Sequence, residues 1–432
     1  MLHACQRSAL VGATALCLVA PQAGWADGTT ERVSVSSREA QGNDTSVGPT
    51  ISGDGRFVGF VSSATNLVPG DTNSLVDIFL RDRQRGTTLR VSVGQNGEQQ
   101  NAGNLAYALA RNGRSVAFVS EATNLVPRDT NGISDVFVRD VRAGTTTRVS
   151  VGADGAQANS DVGFPAISAN GRLVVFSSEA TNLVRRDTNG KDQVFVHDQR
   201  NRTTTLISVG PGGVLGNGDS PPEDVGVPLP AISGGGRFVA FTSAASNLVR
   251  GDTNDAADVF VRDRLRETTR RVSVRTNGVQ AKGDSFDPSI SGDGRLVAFT
   301  SNASNLVPDD TNDAIDVFVR DLQTGTTRRV SVGPNGREAN GGSFSTRDAI
   351  SADGRFVTFV SDASNLVPGD TNETRDVFVH ELRTGRTSRV SLRANGGHFQ
   401  LPTSLPAKST VCWLSSRSCS SASSRLSAPH TV

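Results

Sequence analysis

Between Asp27 and Gln400 the chain has no cysteine and no tryptophan, a single tyrosine, Tyr107, and only Lys191 and Lys282 as lysines. No disulfide framework braces that stretch, and a sugar-binding site built on aromatic platforms has little to be built from. An excess of one charge is missing too: 44 Lys+Arg stand against 43 Asp+Glu in 432 residues, so a nucleic-acid footprint is absent. Beyond the first 26 residues no run approaches the ~20 apolar residues of a membrane helix, and no integral membrane segment is expected in a mature chain. There is no Gly-x-Ser-x-Gly elbow and no phosphate-binding glycine motif. His197 and His380 are the only histidines inside the array before residue 397, each where other units carry Arg262 or Arg320, and they read as strand-end polar residues. The expectation is a protein with no catalytic residues of its own.

The two ends differ from the body. Arg7, the apolar run Ala9 to Ala20 and Gly24-Trp25-Ala26 have the order of a secretory signal peptide, which places residues 1–26 outside the folded unit and the protein in the periplasm or the medium. After Ala394-Asn395-Gly396 the composition turns Ser-rich, with Cys412, Trp413 and Cys419, so residues 393–432 read as a disordered tail; its composition also resembles out-of-frame translation.

What fills the middle is repetition. The phrase Ser-x-Asp-Gly-Arg-Phe-Val-x-Phe recurs with its last Phe at Phe60, Phe118, Phe176, Phe241, Phe299 and Phe359, spaced 58, 58, 65, 58 and 60 residues, the long interval holding a Pro-rich loop around Pro221 to Pro228. Each unit contains four short β-type runs; in the fifth they are Pro288 to Ser291, Arg295 to Ser301, Asp316 to Asp321 and Thr327 to Val332. Asp293-Gly294 is read as a two-residue type I′ hairpin turn. The near-continuous apolar second run predicts a strand covered on both faces, and the alternating fourth run predicts a half-exposed outer strand. Four antiparallel strands repeated six times predict an all-β, six-bladed β-propeller over residues 27–392. The six phenylalanines above and Phe79, Phe137, Phe195, Phe260, Phe318 and Phe378 are its expected inter-blade core.

The stretch Ile290-Ser291-Gly292-Asp293-Gly294-Arg295-Leu296-Val297-Ala298-Phe299-Thr300-Ser301, followed by Asp316-Val317-Phe318-Val319-Arg320-Asp321, resembles the TolB-like (WD40-like) propeller repeat, and the likeness runs from about residue 30 to 392. It implies an exported six-bladed propeller acting through protein–protein contacts. Each unit carries about a dozen additional residues between its second and third strands, and nothing matches the extra N-terminal domain of TolB itself.

One count does not balance. The phrase Arg-Val-Ser-Val or its variant occurs seven times, at 32–35, 90–93, 148–151, 206–209, 271–274, 329–332 and 389–392, against six of everything else. Either the extra N-terminal strand at 30–36 is surplus and flanks the ring, or a seventh blade has been lost and a remnant is left. The arginines opening the phrase are read as rim charges that discourage edge-to-edge pairing.

The most repeated polar feature is the loop between the second and third strands, Asp-Thr-Asn and then an acid six residues after the first. It gives calcium candidates Asp71, Asn73 and Asp77; Asp129, Asn131 and Asp135; Asp252, Asn254 and Asp258; Asp310, Asn312 and Asp316; and Asp370, Asn372 and Asp376. The third unit has Asp187 and Asn189 but replaces the last acid with Gln193. An established calcium loop continues with a third acid and a glycine, which these loops lack, so capping of a tight turn is the competing reading. No other cofactor is implied. In an up-and-down blade these loops share one face with the Asn/Gln-rich connections such as 96–104 and 335–340, and the Asp-Gly hairpins lie opposite. The sequence reads as a monomeric, non-catalytic binding or scaffolding module with an unidentified protein partner on the loop face. The alternatives are a calcium-binding surface propeller and a hydrolase or lyase working in the central channel.

Overall fold

The computed structural model describes residues 30–185, 190–222 and 229–392. The proposed signal peptide, the Ser-rich tail with Cys412 and Cys419, Asp187 and Asn189 of the third loop, and most of the Pro-rich insertion lie outside those residues.

Six four-stranded antiparallel sheets follow one another along the chain as six blades around one axis, each in strict sequence order from an inner first strand to an outer fourth. Blade 5 is built from Ser285–Ile290, Leu296–Ser301, Asp316–Asp321 and Thr326–Arg329. Period-two alternation divides each sheet into two faces. One face carries the stacked pair from strands two and three, as in Phe299–Phe318 with ring centroids 5.8 Å apart. The other carries small and β-branched residues, here Ala298, Val317 and Val319, with Val330 just past the fourth strand. In each consecutive pair from blades 1 and 2 to blades 5 and 6, the valine face of one blade packs on the phenylalanine face of the following one: Val317, Val319 and Val330 close over Phe359 and Phe378, and Ile78, Leu80 and Val91 close over Phe118 and Phe137. The ten phenylalanines of blades 2 to 6 are therefore inter-blade core, as their place in apolar runs predicts, while Phe60 and Phe79 are buried in a cluster within blade 1.

Three local expectations change. At the hairpin only Gly294 is left-handed (φ 77°), and its amide donates to the Ser291 carbonyl at 2.9 Å, which is a type I turn followed by a left-handed glycine rather than type I′. The Ser291 side chain receives the Leu296 amide and donates to Asp293, so the turn is held from inside. The first strand starts three residues early, carrying a bulge between Phe286 and Ser289 where Asp287 is left-handed and Pro288 has no amide to donate. The fourth strand ends at Arg329; Val330 and Ser331 are buried rather than alternating as the chain turns toward the next blade.

The seven-for-six count has a simple geometry. In each blade a threonine of the fourth strand donates its hydroxyl to the carbonyl closing the preceding phrase: Thr88 to Val35 at 2.5 Å, Thr146 to Val93 at 2.6 Å, Thr327 to Val274 at 2.5 Å, and likewise Thr204 to Val151, Thr269 to Val209 and Thr387 to Val332. Blade 1 needs a phrase before it, and the N-terminal copy supplies it. The first copy forms no strand over 30–36, only the single bridge Val35 to Gln41, and it meets blade 1 through the Thr88 bond.

Candidate functional site

Every described loop that carries a full Asp-Thr-Asn-to-Asp set is closed from beneath by the arginine opening its own blade's phrase. In blade 4 the Arg271 guanidinium lies 2.8 Å from Asp252 and 2.9 Å from Asp258, and donates at 2.7 Å to Gln280. Arg90 does the same with Asp71 and Asp77, Arg148 with Asp129 and Asp135, Arg329 with Asp310 and Asp316, and Arg389 with Asp370 and Asp376. The arginine side chains are at most 10% exposed, so they are interior clasps and not rim charges. The second acid also accepts the hydroxyl of the phrase serine, as Asp77 does from Ser92 at 2.5 Å. Burial pushes the Asp135, Asp258 and Asp316 carboxyls up, against the pull of that serine and of the arginine.

The asparagines are occupied as well. Asn312 accepts the Ala314 amide at 3.1 Å, capping the turn, while its amide group reaches Asp316 and the Ala339 carbonyl. The residue after each asparagine is left-handed: Ser74, Gly132, Asp255, Asp313 and Glu373 all have φ between 51° and 66°. The candidate calcium residues thus do come together, five times, but a guanidinium stands between the two carboxylates of each set. Among the described residues no group of three His, Cys, Asp or Glu side chains is arranged to hold a metal ion. A hard cation needs several converging oxygens, and the donor set here is filled by the chain's own arginine.

Blade 3 shows the logic by losing it. Leu206 replaces the arginine and Gln193 replaces the acid, and the neutral Gln193 accepts from Ser208 at 2.5 Å. Removing both charges together avoids leaving a buried carboxylate without a cation. The signal was in the sequence, since the two departures share one unit, but pairing them requires knowing that the side chains meet.

The connections tie the same face laterally. The Gln99 carboxamide donates to Thr72 at 2.9 Å and accepts the Thr72 amide at 3.0 Å, and Gln157 and Gln280 likewise donate to Thr130 and Thr253. Asn101 then clasps Thr123 and Asn124 of the following blade. Loops and connections therefore lie together on one face, as the up-and-down order requires, with the hairpins opposite. On the hairpin side Arg172 grips Asp198 through two bonds and holds its carboxyl down to about 2.

His197 and His380 occupy the arginine position of other blades. His197 Nδ1 lies 3.0 Å from Thr204 Oγ1, and that hydroxyl already gives its proton to Val151, so Nδ1 carries the ring proton. Burial pulls both imidazoles down to about 4. Sequence reading missed Arg347, whose first-strand side chain crosses the channel from blade 6 to the carbonyls of Tyr107 in blade 2 and Pro165 in blade 3 (3.0 Å). The Tyr107 hydroxyl in turn donates to Gly48 of blade 1 at 2.6 Å. The channel beside Arg347 is walled by Leu109, Ile167, Pro230, Ile232 and Pro288 and keeps a cavity of only about 30 Å³, room for a water or two.

No family model and no curated protein matches the chain. Among solved structures it is similar to TolB from Acinetobacter baumannii at 14% identity over 66% of this chain and 53% of that one, with a TM-score of 0.37. It is also similar to a putative TolB from Agrobacterium tumefaciens (14%, 70% and 83%, TM-score 0.40) and to an oligogalacturonate lyase in complex with manganese (13%, 79% and 75%, TM-score 0.44). The chain thus spans about half the length of the first of these TolB structures. The chain's own strand order makes it a six-bladed all-β propeller.

Proposed function

We propose that the chain is an exported, non-catalytic binding module that holds a protein partner on its loop face. The observation that carries this reading is the bracing of the loops: arginine clasps below and glutamine and asparagine ties to the side fix the same backbone conformation in blade after blade. Braced loops lose little conformational entropy when a partner is bound. Their tips leave Asp255, Asp313 and Glu373 exposed toward that partner, which favours a surface with complementary basic groups. The clasps are structural in this reading and take up no calcium, so titration with calcium after chelator treatment should give no heat and no shift of the melting temperature.

The test compares two triple variants for capture of envelope proteins. Asp255→Lys/Asp313→Lys/Glu373→Lys on the loop face should abolish capture, while Gln84→Lys/Ala143→Lys/Gln323→Lys on the hairpin face should leave it intact. The opposite pattern overturns the assignment of the face.

A further inference from the structure

Four features mark one place where the sequence of blades is interrupted. Apolar clusters join each consecutive pair from blades 1 and 2 to blades 5 and 6, but the cluster of Phe60, Ala64, Leu67 and Phe79 in blade 1 contains nothing from blade 6. Val377 and Val390 of blade 6 are 39% and 47% exposed, whereas the matching Val317 and Val330 of blade 5 are fully buried. The hairpins of successive blades are linked by backbone bonds, Gly53 to Arg111, Asn112 to Ala169, Ala169 to Gly234, Gly234 to Gly292 and Gly292 to Ala352, with no such bond among the described residues from blade 6 to blade 1. Finally, a Cβ on Gly113, Gly171, Gly236, Gly294 or Gly354 would strike a side chain of the preceding blade, while at Gly55 of blade 1 it would meet nothing within 4 Å.

The seventh phrase is nonetheless fully formed at this edge. Arg389 clasps Asp370 and Asp376, and the Leu392 amide bonds the Val390 carbonyl at 2.9 Å just as Val35 bonds Val33 and Val93 bonds Val91. Blade 1 cannot use it, because Thr88 is already bonded to Val35 of the N-terminal copy. A groove of about 550 Å³ bordered by Leu366, Val367, Arg389 and Leu392 runs beside it.

We propose that the outward valine face of blade 6 is a docking seat for one further four-stranded blade of this same repeat chemistry. The occupant is defined by the five interfaces already present: a cross-strand phenylalanine pair to lie on Thr358, Val377, Val379 and Val390, and a fourth-strand threonine to donate to the Leu392 carbonyl. A loose apolar ligand satisfies neither requirement.

The seat is tested in the full chain with Cys5, Cys17, Cys412 and Cys419 changed to Ser and a single reporter, Val377→Cys. A second copy of residues 333–392, with valine at the duplicated reporter position, is inserted after Leu392. The reporter thiol is expected to label readily in the parent and about tenfold more slowly or less with the added unit, with a higher melting temperature. Changing the added unit's phenylalanine pair to Ser should restore fast labelling, which separates docking on the seat from mere tethering. Unchanged labelling in the extended chain overturns the proposal. So does a parent that is already protected and runs as a dimer in light scattering, because the face would then belong to a second copy.

Discussion

At the scale of the residue, the clasps explain why the same three side-chain types recur. An arginine held against two carboxylates in a nearly dry site is worth little as a pair, but removing one partner strands the others. Arg271→Leu should therefore destabilise the protein by about 3 kcal/mol or more, read from urea unfolding. Adding Asp258→Gln, which reproduces the pair found in blade 3, should recover a large part of that loss. If the double variant is no better than the single, the two charges are not coupled as the geometry requires. The clasps were half legible: Asp71, Asn73 and Asp77 stand out by repetition, but their partner Arg90 belongs to a phrase whose side chains the alternation places on an outer strand. Arg90 closes the fourth strand opposite Phe79, and only the register of strands three and four brings its side chain underneath the loop.

At the scale of the element, turn chemistry and close approach set what each glycine tolerates. Gly294 and Gly55 share a left-handed conformation, at φ 77° and 72°, so alanine at either should cost about 1 kcal/mol of backbone strain. Gly294 also receives the Phe238 ring, 2.1 Å from where a Cβ would stand, while Gly55 faces open space. Gly294→Ala should lower the melting temperature well beyond Gly55→Ala; equal losses would mean that blade 1 is packed as the others are. The hairpins themselves were legible from Asp-Gly, but their turn type was not. Asp293 remains in the ordinary right-handed half of the map because Ser291 binds its carboxylate, a contact that the dipeptide alone does not specify.

At the scale of the whole molecule, acid stability is a sum over groups whose shifts oppose one another. The buried imidazoles titrate at about 4 in the fold against about 6.5 unfolded, so their contribution is present above pH 6.5 and is lost as pH falls toward 4. Asp198, held at about 2, adds a loss between about 3.8 and 2. Asp287 is pushed up to about 7 by burial, so its contribution runs the other way, fading as pH rises from about 3.8 to 7. Unfolding free energy measured from pH 8 to 3 should therefore fall on the acid side, and His197→Gln/His380→Gln should flatten the segment between 6.5 and 4. Asp287→Asn should raise stability at pH 8; no change there would place that carboxyl in water.

The amino-acid sequence by itself determined the strands, the blade repeat, the phenylalanine core and the gathering of the loops on one face, because each follows from alternation and turn chemistry contained within a single unit. The tertiary structure decided which charges meet, what crosses the channel and which blade face no other described blade covers. Six nearly identical units carry the same local instructions, and whether Val317 is buried or Val377 exposed depends on what stands opposite in space, which no unit encodes about itself.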